Sequence, residues 1–511
     1  MYINKYQPYR KDVNFIKRYM KAQNAASGSE VDANSNVSNK NIATLAPEIH
    51  KKDNIYANRL WMHDRITELF GEETADEYIR QLEEHEIYRH DETLPIGTPY
   101  CASITLYPFL TDGIAKLGGS TTAPKHLRSF LGGFINLVFA VASELCGAVA
   151  TPEFLAYMDY FIRKEYGDDY YKNIDRVANI FTGETIGDIV RQGFKQVVYS
   201  LNQPAGARGS QSVFWNIAYF DKPYFEGLFE DFVFPDGTEM KWESVSWLQK
   251  RFMKWFNAER LKNILTFPVE TVNLLNDGTD FVDKEWADFT AEMYAEGHSF
   301  FTYTSDSVDS LASCCRLRNG ITDNTFSYTL GAGGISTGSK CVMTMNVNRL
   351  VQNVIRADFG SDNVDLSEVR NDSNFDQNLA EISKAVEIQV EKIHKYLLAF
   401  NSILLEMRDN RMVPIYDAGF ISPEKQYLTV GINGAIEAAE FLGITIGDNE
   451  KYRAFINAIL EPIYDLNRKA KTNEIMFNTE FVPSLILWGR KTFSNFSKLS
   501  LRQRGASEYA A

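Results

Sequence analysis

The sequence predicts an α/β fold. Three short segments rich in β-branched and aromatic residues are typical of strands, and they are Phe301–Thr304, Val342–Val347 and Tyr427–Val430. Long helical segments separate them, and the clearest of these, 377–407, carries apolar residues at every third or fourth position. Strands that alternate with helices favour an α/β architecture. The length of 511 residues predicts two or three domains, or one large barrel with additions.

The other elements follow in chain order. Residues 24–41 are small, polar and rich in asparagine, which predicts a loop after a short leading helix. Residues 51–87 carry apolar side chains at helical spacing, and 127–147 has the character of a buried helix. The most apolar stretch, 130–142, is too short to span a bilayer, so we expect no membrane segment.

Composition and charge exclude several classes of protein. The chain has 53 Lys and Arg against 67 Asp and Glu, a net charge of −14, which argues against nucleic acid or an anionic membrane as a partner. The N-terminus has no apolar signal-peptide core. Five cysteines, none in C-x-x-C spacing, predict neither a zinc ribbon nor a disulfide scaffold, and favour a reducing cytoplasm.

The last 28 residues differ from the rest in charge. Residues 484–511 hold five basic residues and one acid, a net of +4, whereas the preceding 483 residues have a net of −18. This change predicts an aberrant tail that begins at 484.

Cysteines are the main candidates for reactive residues in this chain. Cys314 and Cys315 lie in Ser-Cys-Cys-Arg-Leu after a predicted strand. They are either a pair of small apolar fillers, one of them buried, or they include a reactive sulfur at a strand or loop tip, and statistics of sequence alone favour fillers. Cys101, in a segment punctuated by Pro and Gly, is a weak signal by itself.

Other chemical motifs are weak or missing. The glycine-rich segment 331–338, followed by Lys340, is either a flexible loop or a phosphate cradle, but it fits neither a P-loop nor a dinucleotide fingerprint. The histidines show no metal-binding spacing, and no G-x-S-x-G motif indicates a serine hydrolase.

An ordered set of separate motifs is more specific than any one of them. In chain order they are Asp32-Ala-Asn-Ser-Asn-Val37 with Asn41-Ile-Ala-Thr44, His90-Asp91 before Pro99-Tyr100-Cys101, Arg208-Gly-Ser-Gln211, Ser313-Cys-Cys-Arg-Leu317, Met343-Thr-Met-Asn346-Val-Asn-Arg349, Gly431-Ile-Asn-Gly434 with Glu437, and Asn478-Thr-Glu-Phe-Val-Pro483. With this set the chain resembles anaerobic (class III) ribonucleoside-triphosphate reductase, a glycyl-radical enzyme. The resemblance runs from about residue 10 to 483.

The resemblance implies an architecture. It is a ten-stranded α/β barrel with a finger loop in its centre and surrounding helices. Residues 1–50 would form an N-terminal extension too short for a complete ATP cone, and 51–483 the catalytic barrel. A helical region near 120–200 would hold the dimer interface and the site for dNTP or ATP effectors.

The resemblance also implies a reaction. Ribonucleoside triphosphates would be reduced to deoxyribonucleoside triphosphates, with formate as reductant. Cys315, at the tip of the finger loop, would carry the thiyl radical, and Cys101 would deliver hydrogen. Residues for positioning substrate or reductant would be His90, Ser336, Asn346 and Glu480. The implied partners are a radical-SAM activating enzyme and a second copy of the chain.

Two elements of that family do not follow Pro483. These are a four-cysteine zinc site and an Arg-Val-x-Gly-Tyr-like loop with the radical glycine, and the 511 residues contain no counterpart of either. We therefore expect no metal site in this chain and no activity from it alone, with the glycyl radical and zinc supplied by a missing segment or a separate C-terminal fragment. The alternatives are a formate acetyltransferase-like glycyl-radical enzyme and a truncated, inactive nucleotide-binding relative.

Overall fold

The chain forms two units by its internal contacts. The computed structural model describes residues 2–21, 42–205, 212–308, 310–313, 317–320, 336–359, 370 and 374–481. The first unit comprises Met1–Lys51, Cys101–Gly338 and Asn410–Lys425, and the second comprises Lys52–Tyr100, Ser339–Asp409 and Gln426–Ala511.

Helices and strands alternate along most of the described residues. The helices are α1 (Arg10–Lys21), α2 (Ile42–Phe70), α3 (Glu72–Glu83), α4 (Tyr107–Asp112), α5 (Leu127–Ser143), α6 (Phe154–Tyr166), α7 (Ile186–Leu201), α8 (Lys222–Phe229), α9 (Trp242–Arg260), α10 (Lys284–Ala295), α11 (Val347–Phe359), α12 (Phe375–Asp409), α13 (Pro414–Asp417), α14 (Ala435–Phe441) and α15 (Glu450–Ala470). The strands are β1 (Ile87–Arg89), β2 (Cys101–Ser103), β3 (Val149–Ala150), β4 (Val177–Asn179), β5 (Glu184–Thr185), β6 (Trp215–Phe220), β7 (Val269–Leu275), β8 (Phe301–Ser305), β9 (Ser310–Ser313), β10 (Leu317–Gly320), β11 (Thr337–Asn346), β12 (Gln426–Asn433) and β13 (Met476–Phe481).

A parallel sheet in the order β2-β3-β6-β7-β8 forms the core of the first unit. Every residue of β6 is buried, as expected for a parallel strand that is covered on both faces. The Trp215 ring packs against Phe134 of α5 and Phe154 of α6, with ring centroids 5.8 and 5.4 Å away. Its indole Nε1 donates to the Thr151 hydroxyl at 2.8 Å, so its polar atom is also satisfied.

The second unit holds β12 and β13 as a parallel pair, with β11 next to β12 and β1 antiparallel to β11. Helix α12 packs along α15 and contacts β12. Its apolar stripe is buried from Ile382 to Leu404, so the spacing that predicted this helix marks the face that it buries.

The predicted α/β class is confirmed, with small corrections to elements. The predicted strand 342–347 ends at Asn346, and Val347 begins α11. The predicted helix 51–87 is two helices, because Gly71 adopts φ +91° between them. The apolar stretch 130–142 lies in α5, and no helix in the described part of the chain has the length and apolar character to cross a membrane. The predicted loop 24–41 lies outside the described residues.

Candidate active site

Helices α5 and α6 pack against one face of the first unit's sheet. Paired residues of parallel strands point to the same side, and successive residues alternate. Ala102, Val149 and Trp215 are in register, and Trp215 lies against α5 and α6. Cys101 and Asn216 therefore lie on the opposite side of the sheet. We call this side, formed by β2, β3, β6 and β7 away from α5 and α6, the Cys101 face.

Cys101 begins β2 and is buried, with 1% of its surface exposed. The start of β11 approaches it closely, because a Cβ built on Gly338 would lie 2.3 Å from the Cys101 carbonyl oxygen. Ser336, two residues before Gly338, is also buried. The structure thus brings the segment that begins at Ser336 to the strand of Cys101, and glycine is the residue that permits this approach.

A buried carboxyl group fixes the chain just after β2. The Glu153 Oε2 atom accepts from the Leu106 amide at 2.7 Å and from the Thr105 hydroxyl at 3.2 Å. Burial raises the pKa of Glu153 to about 8, although the Leu106 amide partly offsets this effect. Glu153 therefore holds its proton at neutral pH, which reduces the cost of burying it at the start of α6.

Glu153 predicts a pH dependence of stability. The folded chain keeps this proton up to about pH 8, whereas an exposed glutamate has a pKa near 4.5. Between these values the folded state binds one proton more, so rising pH favours unfolding by about 1.4 kcal/mol per pH unit from this group. We expect Glu153→Gln to remove that part of the slope between pH 6 and 8, as measured by denaturant unfolding. Equal slopes for the two proteins would contradict the assignment.

In the second unit, His90 follows β1 and lies beside β11. Its Nε2 atom is 2.9 Å from the Thr344 hydroxyl, and its backbone amide donates to the Val342 carbonyl at 3.2 Å. The rings of Tyr88 and Tyr100 meet the imidazole edge to face. Burial, and to a lesser degree the charge of Arg89, lowers the pKa of His90 to about 4. His90 is thus a neutral hydrogen-bonding group at neutral pH.

Asn346 lies at the end of β11, close along the strand to Thr344. Its Nδ2 atom donates to the His85 carbonyl at 3.0 Å, and its Oδ1 atom accepts from the Arg349 amide at 3.0 Å. The second contact satisfies a free amide in the first turn of α11. In this structure the Asn346 side chain therefore joins strand, turn and helix.

Glu480 is buried in β13, where it pairs with Gly431 of β12. Next to it, a row of polar side chains crosses the buried strands of the second unit. The hydroxyls of Ser339 and Thr429 are 2.7 Å apart, and the Thr429 hydroxyl donates to Asn478 Oδ1 at 2.7 Å. The row ties β11, β12 and β13 together through side chains as well as backbone.

Comparison with known proteins decides the family. The sequence model of the family described as anaerobic ribonucleoside-triphosphate reductase matches residues 48–491. The chain belongs to this family. A search of curated proteins gave no match.

Solved anaerobic ribonucleotide reductases resemble the chain in fold. One shares 26% sequence identity at a TM-score of 0.75, covering 96% of this chain and 72% of that one. The Thermotoga maritima enzyme in complex with dATP and CTP shares 26% at a TM-score of 0.73, covering 97% and 78%. The same enzyme with citrate in the active site, 24% identical at a TM-score of 0.74 over 96% and 81%, supports the fold alone.

These matches confirm the predicted fold type and the predicted class of enzyme, an oxidoreductase of the anaerobic ribonucleotide reductase family. They do not favour the formate acetyltransferase-like reading or the inactive relative. The roles of Cys101, His90, Ser336, Asn346 and Glu480 remain predictions.

Some predicted features of the reductase lie outside the described residues. These are Cys314, Cys315, the glycine-rich residues 331–335 and the tail from 484, where the family match itself continues to 491. Lys340, which follows the glycine-rich segment considered above as a phosphate cradle, lies among the residues that the structure describes. It is buried, and its Nζ atom donates to Asn401 Oδ1 at 2.7 Å, so its ammonium group is directed into the fold.

Sequence reasoning missed Glu153, Thr429, the hydrogen bond of Lys340 to Asn401 and the amide of Asn216. No local motif marks them. The hydrogen-bond partners of Glu153, Thr429 and Lys340 lie far away along the chain. The Asn216 amide has no hydrogen-bond partner among the described residues.

Proposed function

We propose that this chain reduces ribonucleoside triphosphates to deoxyribonucleoside triphosphates by thiyl-radical chemistry, with Cys315 as the radical site and Cys101 as its partner. One observation of the structure carries the proposal beyond family membership. Cys101 is buried at the start of a parallel strand, on the sheet face opposite α5 and α6, and the β11 start lies directly against it. A thiol so placed is held away from water and from competing oxidation.

The proposed reaction is a net two-electron reduction of the ribose at C2′. The Cys315 thiyl takes the hydrogen atom from C3′ of the ribose, which leaves a carbon radical and a thiol. The 2′-hydroxyl takes the proton of the 3′-hydroxyl and leaves as water, which leaves a ketone at C3′ and the radical at C2′. Cys101 gives a hydrogen atom to C2′ and becomes a thiyl radical. Formate gives its hydrogen atom to this thiyl and so restores the Cys101 thiol. The carbon dioxide radical anion that remains gives its electron to the C3′ ketone, which also takes a proton from solvent, and leaves as carbon dioxide. Return of the hydrogen atom from Cys315 to C3′ completes the deoxynucleotide and restores the thiyl radical.

Four polar side chains support positioning roles in this proposal. The imidazole of His90 is neutral and rigidly held by Thr344 and two tyrosine rings, so it suits hydrogen bonding to substrate or formate better than charge stabilisation. Ser336 and Glu480 are buried polar groups in segments that match the family, and we assign them to the same task. Asn346 is assigned a supporting role, because its amide already binds two backbone groups.

The proposal also includes nucleotide effectors, partner proteins and a location in the cell. Related structures are described with dATP bound in the specificity site and with dATP and CTP, which supports dNTP effectors and a ribonucleotide substrate here. We further propose a homodimer, a radical-SAM activating enzyme, a cytoplasmic location and a radical glycine on a segment outside these 511 residues. Among the described residues, no cluster of three or more His, Cys, Asp or Glu fits a metal ion.

An anaerobic assay tests the proposal. The purified chain is incubated with activating enzyme, S-adenosylmethionine, formate, dATP and CTP, with and without a C-terminal segment that bears the radical glycine of the family. We expect dCTP only when the segment is present, and none with the Cys101→Ser chain. Turnover without the segment would refute the need for it. Binding of CTP without turnover in both arms would refute the enzymatic role and leave a nucleotide-binding protein.

A further inference from the structure

Asn216 is an unusual residue of the Cys101 face. It lies in β6 with none of its surface exposed. Neither its Nδ2 nor its Oδ1 atom has a hydrogen-bond partner among the described residues. Buried amides are almost always paired, because an unpaired donor or acceptor loses its hydration without compensation. An amide with both groups unused is therefore a candidate for binding a group that arrives from outside the chain.

Asn202 shows what a structural asparagine looks like in the same unit. Its Nδ2 atom donates to the carbonyls of Val198 and Phe267, and its Oδ1 atom accepts from the Phe267 amide. The side chain thus holds the end of α7 to the segment before β7. Asn216 makes no contact of this kind, although it is buried even more completely.

The neighbours of Asn216 toward Cys101 are small, whereas Val269 is in register with it on β7. Ser103 and Ala150 are in register with it on β2 and β3, and Ala218 is the next residue of β6 on the same side. Further along the face, Asn273 donates through Nδ2 to the Tyr219 carbonyl, while its Oδ1 atom also has no partner in the described chain. Small side chains beside unused amide groups are the arrangement expected where a ligand enters.

The distance from Cys101 indicates which part of a nucleotide would reach Asn216. Two strand spacings separate β2 from β6, about 10 Å, and the offset of two residues along the strands adds about 7 Å, so the two Cα atoms are about 12 Å apart. With the ribose at Cys101, this span reaches either the base or the outer phosphates. A neutral amide that offers one donor and one acceptor side matches the edge of a base. Phosphates favour Arg, Lys or backbone amides, and no described residue of this face in β2, β3, β6 or β7 is basic.

We propose that Asn216 binds the base of the ribonucleotide substrate and so positions its ribose at Cys101. The inference rests on the proposed function, because it takes the ribose to lie at Cys101. It adds a contact between the chain and the substrate that is remote from the reacting carbon atoms. This contact lies on the same sheet face as Cys101.

Binding to the full chain tests the proposal without any radical step. The probes are CTP and ribose 5-triphosphate, which lacks a base, and dATP is kept saturating throughout. The variant Asn216→Leu keeps the shape of the side chain and removes both polar groups. We expect its Kd for CTP to rise about tenfold, while its Kd for ribose 5-triphosphate changes less than twofold. We also expect its denaturant midpoint to be equal to or above that of the parent, because two unpaired buried groups are removed.

Asn202→Leu is the matched control, for which we expect a lower midpoint and an unchanged Kd for CTP. Asn216→Ser serves if the leucine variant does not fold. Equal CTP affinity in parent and variant overturns the inference, and so does a fall in midpoint with equal loss of both probes, which would make Asn216 structural. A parent chain that binds neither probe instead refutes the proposed function, and the inference with it.

Discussion

Cys315→Ser is expected to abolish dCTP formation. Serine has nearly the shape of cysteine, but its O–H bond is much stronger than an S–H bond, so a radical at this position becomes inaccessible. The variant separates the two readings of the Ser-Cys-Cys-Arg-Leu segment, in which the cysteines are either apolar fillers or include a reactive sulfur. A filler tolerates serine with a modest loss of stability, whereas a radical site loses all turnover.

Cys314→Ser is the matched control, because it makes the same change one residue earlier in the chain. We expect this variant to keep most of its turnover in the assay with the radical-glycine segment, activating enzyme and formate. The reverse result, with Cys314→Ser inactive and Cys315→Ser active, would transfer the radical role to Cys314. Full activity of both variants would refute thiyl chemistry at this segment.

Cys101→Ser makes the test stricter, since it interrupts the reaction at a later step. With CTP labelled by tritium at C3′, abstraction of hydrogen by Cys315 can be followed apart from reduction at C2′. We expect the Cys101 variant to release some tritium from C3′ without forming dCTP, whereas Cys315→Ser releases none. Loss of tritium release in the Cys101 variant would mean that Cys101 acts before or during the first abstraction.

Periodicity predicted the long elements well and the short ones poorly. The stripe in α12 extends over many turns, so its apolar spacing is unambiguous, and the helix was predicted within two residues of each end. Strands β2 and β3 contain only three and two residues, too few to show an alternating pattern. They exist because neighbouring strands supply their hydrogen bonds, and this information is not local in the sequence.

The difference between local and distant information also explains which site residues the sequence revealed. Cys101 was noticed because cysteine is rare in this chain and because its segment resembles a family motif. Glu153 binds an amide 47 residues earlier, and Lys340 binds an asparagine 61 residues later. Such pairings appear only when the sheet brings distant segments together. Asn346 shows the opposite case, in which a motif residue was noticed and the structure shows both of its amide groups bound to backbone.

Gly338→Ala is expected to damage both stability and catalysis. The added Cβ would lie 2.3 Å from the Cys101 carbonyl oxygen and 3.0 Å from the Ala102 Cα atom. Both are backbone atoms of a buried strand, so no side chain can rotate away to make room. Overpacking of this kind costs about 3 kcal/mol of unfolding free energy. A shift of β2, which carries Cys101, would relieve this clash. A displacement of Cys101 by about 1 Å lowers turnover about a hundredfold.

Gly132→Ala provides the matched control. Gly132 lies in α5 of the same unit, and a Cβ there would meet no atom within 4 Å. Alanine favours the helix, so we expect the unfolding free energy to rise by about 1 kcal/mol with no change in turnover. Denaturant unfolding and dCTP formation are measured on both variants. If Gly338→Ala is as stable and as active as Gly132→Ala, then β2 and β11 have space between them, and the glycine-rich segment before β11 needs another explanation. If the unfolding free energy falls in Gly338→Ala and rises in Gly132→Ala, and turnover is lost only in Gly338→Ala, then Gly338 sets the position of Cys101.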